Sequence, residues 1–131
     1  MQFTLSVDRD RLIKTVLYFL LITLSYAICG TRGWMLESMS ATENDKKIIA
    51  REAGRLQRSL ESACDGTEKI AVFHYPPMFD KFVYDRLFDI MLDNRIEECY
   101  FGHIHGAYYA PRTHSFEGID FVLCAADYLN F

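Results

Sequence analysis

Short apolar runs that alternate with longer segments of helical spacing are the sequence feature that most constrains the fold of this chain. Three such runs, at about residues 26–31, 69–74 and 98–102, have the character of buried strands, and a turn-forming sequence follows each. A helical segment separates each run from the next. Two further strands are predicted near residues 107–110 and 119–125, with no helix between them. This order predicts an α/β fold with a mixed sheet and flanking helices.

Both predicted helices carry an apolar stripe on one side. The first is predicted to begin at Thr42, with Asp45 as the carboxylate of a capping box, and to end at Asp65-Gly66. The second is predicted over residues 82–92. The stripe of the first helix comprises Ile49, Ala53, Leu56, Leu60 and Ala63, its opposite side carries Lys47, Arg51, Arg55 and Arg58, and the second helix can turn Phe82, Leu87, Ile90 and Met91 to a core. We interpret the basic side as a solvated face rather than a phosphate-binding surface.

The amino-terminal segment permits two interpretations. Residues 15–31 contain no charged residue, and basic residues precede them, as in a signal peptide or a membrane anchor. Asp8 and Asp10 weaken that basic region, no clean cleavage site follows, and the run is short for a spanning helix. A buried strand or a core helix is the favoured interpretation. We therefore divide the chain into an unplaced segment, residues 1–25, and a single domain, residues 26–131.

Composition excludes several classes of protein. Half of the 131 residues are hydrophobic, which is typical of a globular chain and not of a disordered one. Its 14 basic and 18 acidic residues give a net charge of −4 without a basic stripe, so an extended nucleic acid is a poor partner. The four cysteines form no CxxC pair. That pattern argues against a zinc knuckle and favours a reduced, cytoplasmic setting.

His74 lies at the carboxyl end of a predicted strand, where α/β sheets collect ligand and catalytic groups. Pro76 and Pro77 follow it, and the residue before a proline is held extended. The imidazole would therefore be presented from a stiff stretch of backbone. A structural histidine is the alternative, and the motif taken alone does not exclude it.

His103 and His105 lie two residues apart between Gly102 and Gly106, again just after a predicted strand. In an extended segment their side chains would share one face, while Ile104 would point into the core. Neutral imidazoles at this spacing suit Zn, Mn, Fe or Ni. The alternative is a polar turn that happens to contain two histidines, and the flanking glycines together with His74 nearby make it the weaker one.

Together, His74-Tyr-Pro-Pro77 and Gly102-His-Ile-His-Gly106 resemble the carboxy-terminal signature of the calcineurin-like metallophosphoesterases. Residues 30–34, 51–60 and 124–131 are also similar to a bacterial subfamily of predicted phosphohydrolases. The resemblance covers the whole predicted domain. It implies the carboxy-terminal half of a four-layer αββα sandwich, a phosphoester substrate and, in the intact family, two divalent metal ions.

The resemblance also implies roles for individual residues. His74 and His103 would bind one ion, and His105 would bind the other. The chain contains none of the family's aspartate and asparagine motifs, namely Asp-x-His, Gly-Asp-x-x-Asp and Gly-Asn-His. Three neutral imidazoles can hold one ion but provide no charge to bridge two, so we expect one ion or none.

Arg32 and His114 complete the candidate residues. After its predicted strand, Arg32 could grip a phosphate oxygen, or it could be a surface arginine stacked on Trp34, and the sequence does not separate these alternatives. His114 has no counterpart in the family's motifs and is predicted to lie in a surface loop.

Two functions remain open from the sequence. The first is a metal-dependent phosphoester hydrolase that is incomplete as a single chain, as a truncated gene or a split protein would produce, and weak or inactive in this form. The second is a non-catalytic remnant that binds one metal or a protein partner. In both, the missing half should leave an apolar face or an open sheet edge, which favours a homodimer or a complementary chain. A membrane partner is not favoured.

Overall fold

The computed structural model describes residues 9–35, 41–79 and 82–131. The elements in chain order are α1 (Arg9–Ser25), β1 (Tyr26–Thr31), α2 (Glu43–Glu61), β2 (Glu68–Phe73), β3 (Met78–Phe79), β4 (Phe82–Val83), α3 (Asp85–Asp93), β5 (Glu98–Phe101), β6 (Thr113–Phe116) and β7 (Ile119–Leu123). The predicted α/β class is confirmed.

Five strands form one mixed sheet in the order β1-β2-β5-β7-β6, while β3 and β4 form a separate small hairpin. The first four strands of that order are parallel, and β6 pairs antiparallel with β7. Each crossover from β1 to β2 and from β2 to β5 moves in the same direction across the sheet. Because such crossovers are right-handed, α2 and α3 lie on the same face.

The face beneath α2 and α3 is the hydrophobic core. In-register residues of the four parallel strands form rows across it, and one row is Cys29, Ala71, Cys99 and Phe121. A second row consists of Phe73, Phe101 and Leu123. All of these side chains are buried and belong to a single cluster with the buried residues of the two helices.

The amino-terminal end of helix α2 has the capping box that its sequence predicts. Thr42 caps it, with the Thr42 side chain bound to the backbone N–H of Asp45 and the Asp45 carboxylate bound to the backbone N–H of Thr42. Of the predicted stripe, Ala53, Leu56 and Leu60 are fully buried. The helix ends at Glu61, a few residues before the Asp65-Gly66 stop that the sequence indicates.

One predicted helix is present with a later start, and one predicted strand is wrong. The helix predicted from residue 82 begins at Asp85, because Phe82 and Val83 pair instead with β3. Of the residues predicted to face the core, the side chain of Phe82 lies outside the described part. Residues 107–110 form a turn closed by the backbone N–H of Ala110 and the carbonyl of Ala107, and the strand occurs later, at Thr113–Phe116.

Helix α1 contradicts the predicted buried position of the amino-terminal segment. The segment is helical, but its described apolar side chains are exposed, and about half or more of the surface of Leu12, Leu17 and Phe19 is accessible. Residues 1–8 of the unplaced segment, including Asp8, lie outside the described residues. No helix in the described ranges is both long enough and apolar enough to cross a membrane.

The second face of the sheet is open to solvent. Its in-register rows are Ile28, Ile70, Glu98 and Asp120, and then Gly30, Val72, Tyr100 and Val122. Ile28 is 78% exposed and Val72 is 41% exposed. We call this surface the bare face. Its β1 and β2 end is apolar, while Glu98 and Asp120 make its β5 and β7 end partly charged.

Candidate functional site

The candidate residues follow the carboxyl ends of three parallel strands. Arg32 follows β1, His74 follows β2, and His103 and His105 follow β5. Since β1, β2 and β5 are parallel neighbours, these ends meet at one edge of the sheet. The predicted site residues therefore lie on one surface, although they come from three distant parts of the chain.

His74 and His103 contact each other directly. Nε2 of His74 and Nδ1 of His103 are 3.0 Å apart, and the ring centroids are 4.9 Å apart. Burial first, and then the charges of His74 and His105, lowers the pKa of His103. The neutral imidazole, which has a lone pair for a ligand, is therefore the favoured form of His103 at neutral pH.

The backbone between the two histidines of the β5 motif is not extended, as the sequence prediction assumed. His103 has a φ of +64°, and the N–H of Ile104 donates to the carbonyl of Gly102 in a tight turn. As a result, the rings of His103 and His105 lie 6.4 Å apart, centroid to centroid, at a steep angle. The expectation for Ile104 holds, since its side chain is partly buried against the core.

His105 is paired with a residue that the sequence analysis did not single out. Its Nδ1 lies 2.9 Å from Oδ1 of Asp127, and the backbone N–H of Gly106 donates to Oδ2 of the same carboxylate at 2.8 Å. That backbone hydrogen bond, followed by the hydrogen bond and charge of His105, lowers the pKa of Asp127 to about 2 despite partial desolvation. The signal in the sequence was the position of Asp127, just after the last parallel strand.

Arg32 lies beside the histidines on an aromatic support. Its guanidinium carbon is 5.2 Å from the ring centroid of Trp34 and 6.0 Å from that of Tyr75. The Tyr75 ring is in turn 4.4 Å from the ring of His103. The predicted stacking on Trp34 is present, and it holds an exposed cation next to the imidazoles. Stacking on Trp34 therefore does not prevent the guanidinium of Arg32 from contacting a phosphate.

Beneath Arg32 lies a fully buried carboxylate, Glu52 of α2. It accepts a 2.5 Å hydrogen bond from the hydroxyl of Thr31 and pairs with Arg55 at 2.6 Å. Burial raises the pKa of Glu52, but the Thr31 hydrogen bond and the neighbouring arginines outweigh it, so the pKa lies below its ordinary value. Sequence reasoning missed Glu52, which lies on α2 between the apolar stripe and the arginines of the basic side.

The turns after β1 and β2 are joined. The backbone N–H of Tyr75 donates to the carbonyl of Arg32 at 2.8 Å. Gly33 has a φ of +71°, and a Cβ there would lie 2.6 Å from the carbonyl oxygen of Tyr75, so only glycine fits without a shift of the backbone. This junction fixes Arg32 relative to His74.

The residues fit a metal ion only in part. Two nitrogen ligands bound to one tetrahedral ion at about 2.1 Å each lie about 3.4 Å apart. The 3.0 Å between His74 and His103 is the distance of a hydrogen bond, so both rings would have to turn to share an ion. In the part of the chain that is described, however, no group of three or more His, Cys, Asp or Glu side chains is arranged to hold a metal ion. His105 is turned instead toward Asp127, and His114 lies exposed on β6, a strand and not the predicted loop.

Comparisons with family models, with curated proteins and with solved structures give no match. An account of function therefore depends on the geometry of this edge of the sheet.

Proposed function

We propose that this chain provides the histidine side of a metal-dependent phosphoester hydrolase site, in the manner of the carboxy-terminal half of a calcineurin-like metallophosphoesterase. One observation carries the proposal. His74 and His103, which are 29 residues apart in the sequence, bring two ring nitrogens to within 3.0 Å at the carboxyl edge of the sheet. Two neutral imidazoles in that arrangement suit a divalent ion of the Zn, Mn, Fe or Ni group.

The residues at the carboxyl edge of the sheet would have different roles. His74 and His103 would hold the ion, and His105 would contribute a further nitrogen on the side of Asp127. The exposed guanidinium of Arg32, supported by Trp34, would bind two oxygens of the phosphoryl group. A divalent ion bound there would polarise a phosphoryl oxygen and stabilise the charge that develops on it.

Hydrolysis by the isolated chain should be weak or absent. A two-ion site needs anionic ligands to hold the cations close together, and His74, His103 and His105 are neutral ligands. In the proposed hydrolase a complementary polypeptide with the missing aspartate and asparagine motifs supplies that charge. It would also cover the bare face, as one sheet covers another in a sandwich.

Metal titration of the purified chain tests the proposal. We expect one Zn²⁺ or Mn²⁺ per chain by calorimetry, and the double variant His74→Ala/His103→Ala should lose about 100-fold or more in affinity because it removes both nitrogens. His114→Ala removes an exposed histidine on β6 and is the matched control, with unchanged affinity. Equal binding by the double variant and the wild type would exclude this site.

The bare face favours a second candidate, a non-catalytic module that binds a second copy of itself. A face with Ile28 78% exposed and Val72 41% exposed is a surface that monomers rarely leave uncovered. Two copies related by a two-fold axis would pack these faces together and bury the same rows in both.

Light scattering on the purified chain separates the two candidates. The module predicts a dimer that the variant Ile28→Glu converts to a monomer, because the carboxylate would be buried without a partner. The hydrolase proposal predicts a chain that stays monomeric until the complementary polypeptide is added. Ile13→Glu, which places the same charge on the exposed surface of α1, is the matched control.

A further inference from the structure

We propose that Asp127 is a positioning residue for His105, whose Nδ1–H it accepts so that Nε2 carries the lone pair available to a ligand. The role in metal binding depends on the proposed function above, whereas the tautomer and the ring orientation do not. The observation behind it is a carboxylate that contacts the imidazole and is itself held by other donors.

The two oxygens of Asp127 are used differently. Oδ1 lies 2.9 Å from Nδ1 of His105 and is the oxygen that orients the ring. Oδ2 accepts from the backbone N–H of Gly106 at 2.8 Å and from the hydroxyl of Tyr108 at 3.3 Å. An ionised carboxylate can only accept hydrogen bonds, so the proton of the neutral His105 ring must lie on Nδ1.

The carboxylate is anchored independently of His105. The chain before Asp127 is attached to the end of β5 through the hydrogen bond from the N–H of Cys124 to the carbonyl of Phe101, at 2.7 Å. The next residue, Tyr128, donates its hydroxyl to the carbonyl of Ala110 at 2.9 Å. Asp127 is therefore part of a fixed segment, and His105 is the mobile partner of the pair.

His105 needs such an anchor because its side chain is 70% exposed. An imidazole so exposed can turn about its side-chain bonds and exchange its tautomers freely. A carboxylate on the far nitrogen fixes both, which is the arrangement that proteins use behind histidines that bind metals. In contrast, His103 is fixed by its neighbours Tyr75 and His74.

Nitrogen NMR of the metal-free chain at about pH 8, where imidazoles are neutral, tests the positioning directly. In the wild type, Nδ1 of His105 should be protonated and Nε2 bare. Asp127→Ala should give a mixture of tautomers. Asp127→Asn should move the proton to Nε2, because the N–H of Gly106 needs the single amide oxygen and the amide NH2 then donates to Nδ1. Tyr108→Phe removes one donor to Oδ2 and should leave the tautomer unchanged. If Asp127→Ala has the wild-type tautomer, the proposal is wrong.

Zinc affinity provides the second measurement. Asp127→Ala and Asp127→Asn should each bind Zn²⁺ about 10- to 100-fold more weakly than the wild type. Circular dichroism and urea unfolding of each variant establish that it is folded. Wild-type affinity in a folded Asp127→Ala chain would overturn the role in metal binding. If the wild type binds no zinc but its His105 tautomer depends on Asp127, the proposed function is wrong and the role of Asp127 in positioning His105 stands.

Discussion

The two faces of the five-stranded sheet differ both in what covers them and in which residues they contain. The covered face buries apolar rows of β1, β2, β5 and β7 beneath α2 and α3, whereas the bare face mixes apolar residues with Glu98, Tyr100 and Asp120. On the bare face, the equivalent rows are exposed or half-exposed. Handedness explains the asymmetry, because crossovers that all move one way across a sheet place every helix on the same side. A second layer must therefore come from outside the β1-to-β5 unit.

The largest expected effect is on the covered face. Ile119 lies on the covered face of β7 and is 1% exposed, so Ile119→Ala removes three buried carbon atoms and leaves a cavity. We expect the free energy of unfolding to fall by about 2–5 kcal/mol, measured by urea denaturation. A loss below about 1 kcal/mol would mean that the covered face is not a close-packed core.

The second prediction concerns Glu52, the buried carboxylate above the covered face. Glu52→Gln should cost about 1–3 kcal/mol at neutral pH, because it weakens the hydrogen bonds to Thr31 and Arg55. Since the pKa of Glu52 is lowered in the folded chain, the unfolded state takes up its proton more readily. The stabilisation is thus complete above the ordinary glutamate pKa of about 4.3 and is lost as pH falls through the folded pKa.

Urea unfolding over a series of pH values measures this effect. The difference between the wild type and Glu52→Gln should shrink as the solution is acidified below the ordinary glutamate pKa. Glu61→Gln changes an exposed carboxylate on the same helix and serves as the control. A difference that is constant across the whole range would show that the charge of Glu52 contributes nothing.

The smallest expected effect is on the bare face. Ile28→Ala is the same substitution as Ile119→Ala in the same sheet, but Ile28 is 78% exposed. Its effect on the stability of the monomer should stay within about 0.5 kcal/mol. The concentration of chain must be varied, because a cost that grows with concentration would place Ile28 in an interface between copies.

Much of the fold was predictable because burial leaves a periodic mark on the sequence. The bounds of β1 and the capping box at Thr42 agree with the prediction, and β2 and β5 lie within a residue of it. At the site, His74 and His103 were predictable because each directly follows an apolar strand. The convergence of these strand ends is a property of parallel sheets.

The remainder depends on contacts that leave no local pattern. Asp127 contacts His105 from 22 residues away in the sequence, and its position after the last parallel strand is a weak signal that many tail residues share. The exposed strand β6 has no buried side and therefore no alternation of apolar and polar residues. For this reason the sequence predicted a strand at residues 107–110 and not at β6. For α1, the sequence correctly indicated an apolar segment. The apolar character of a segment does not determine whether another part of the chain covers its side chains.

The junction between α1 and β1 has a mechanical consequence. Ser25 ends the helix and Tyr26 begins the strand, with no loop between them. Because no loop separates them, a displacement of the helix would act directly on the edge strand. Arg32 follows β1 immediately at its far end, six residues of strand from the helix. A molecule that binds α1 and displaces it would accordingly move Arg32 as well, at the opposite end of β1.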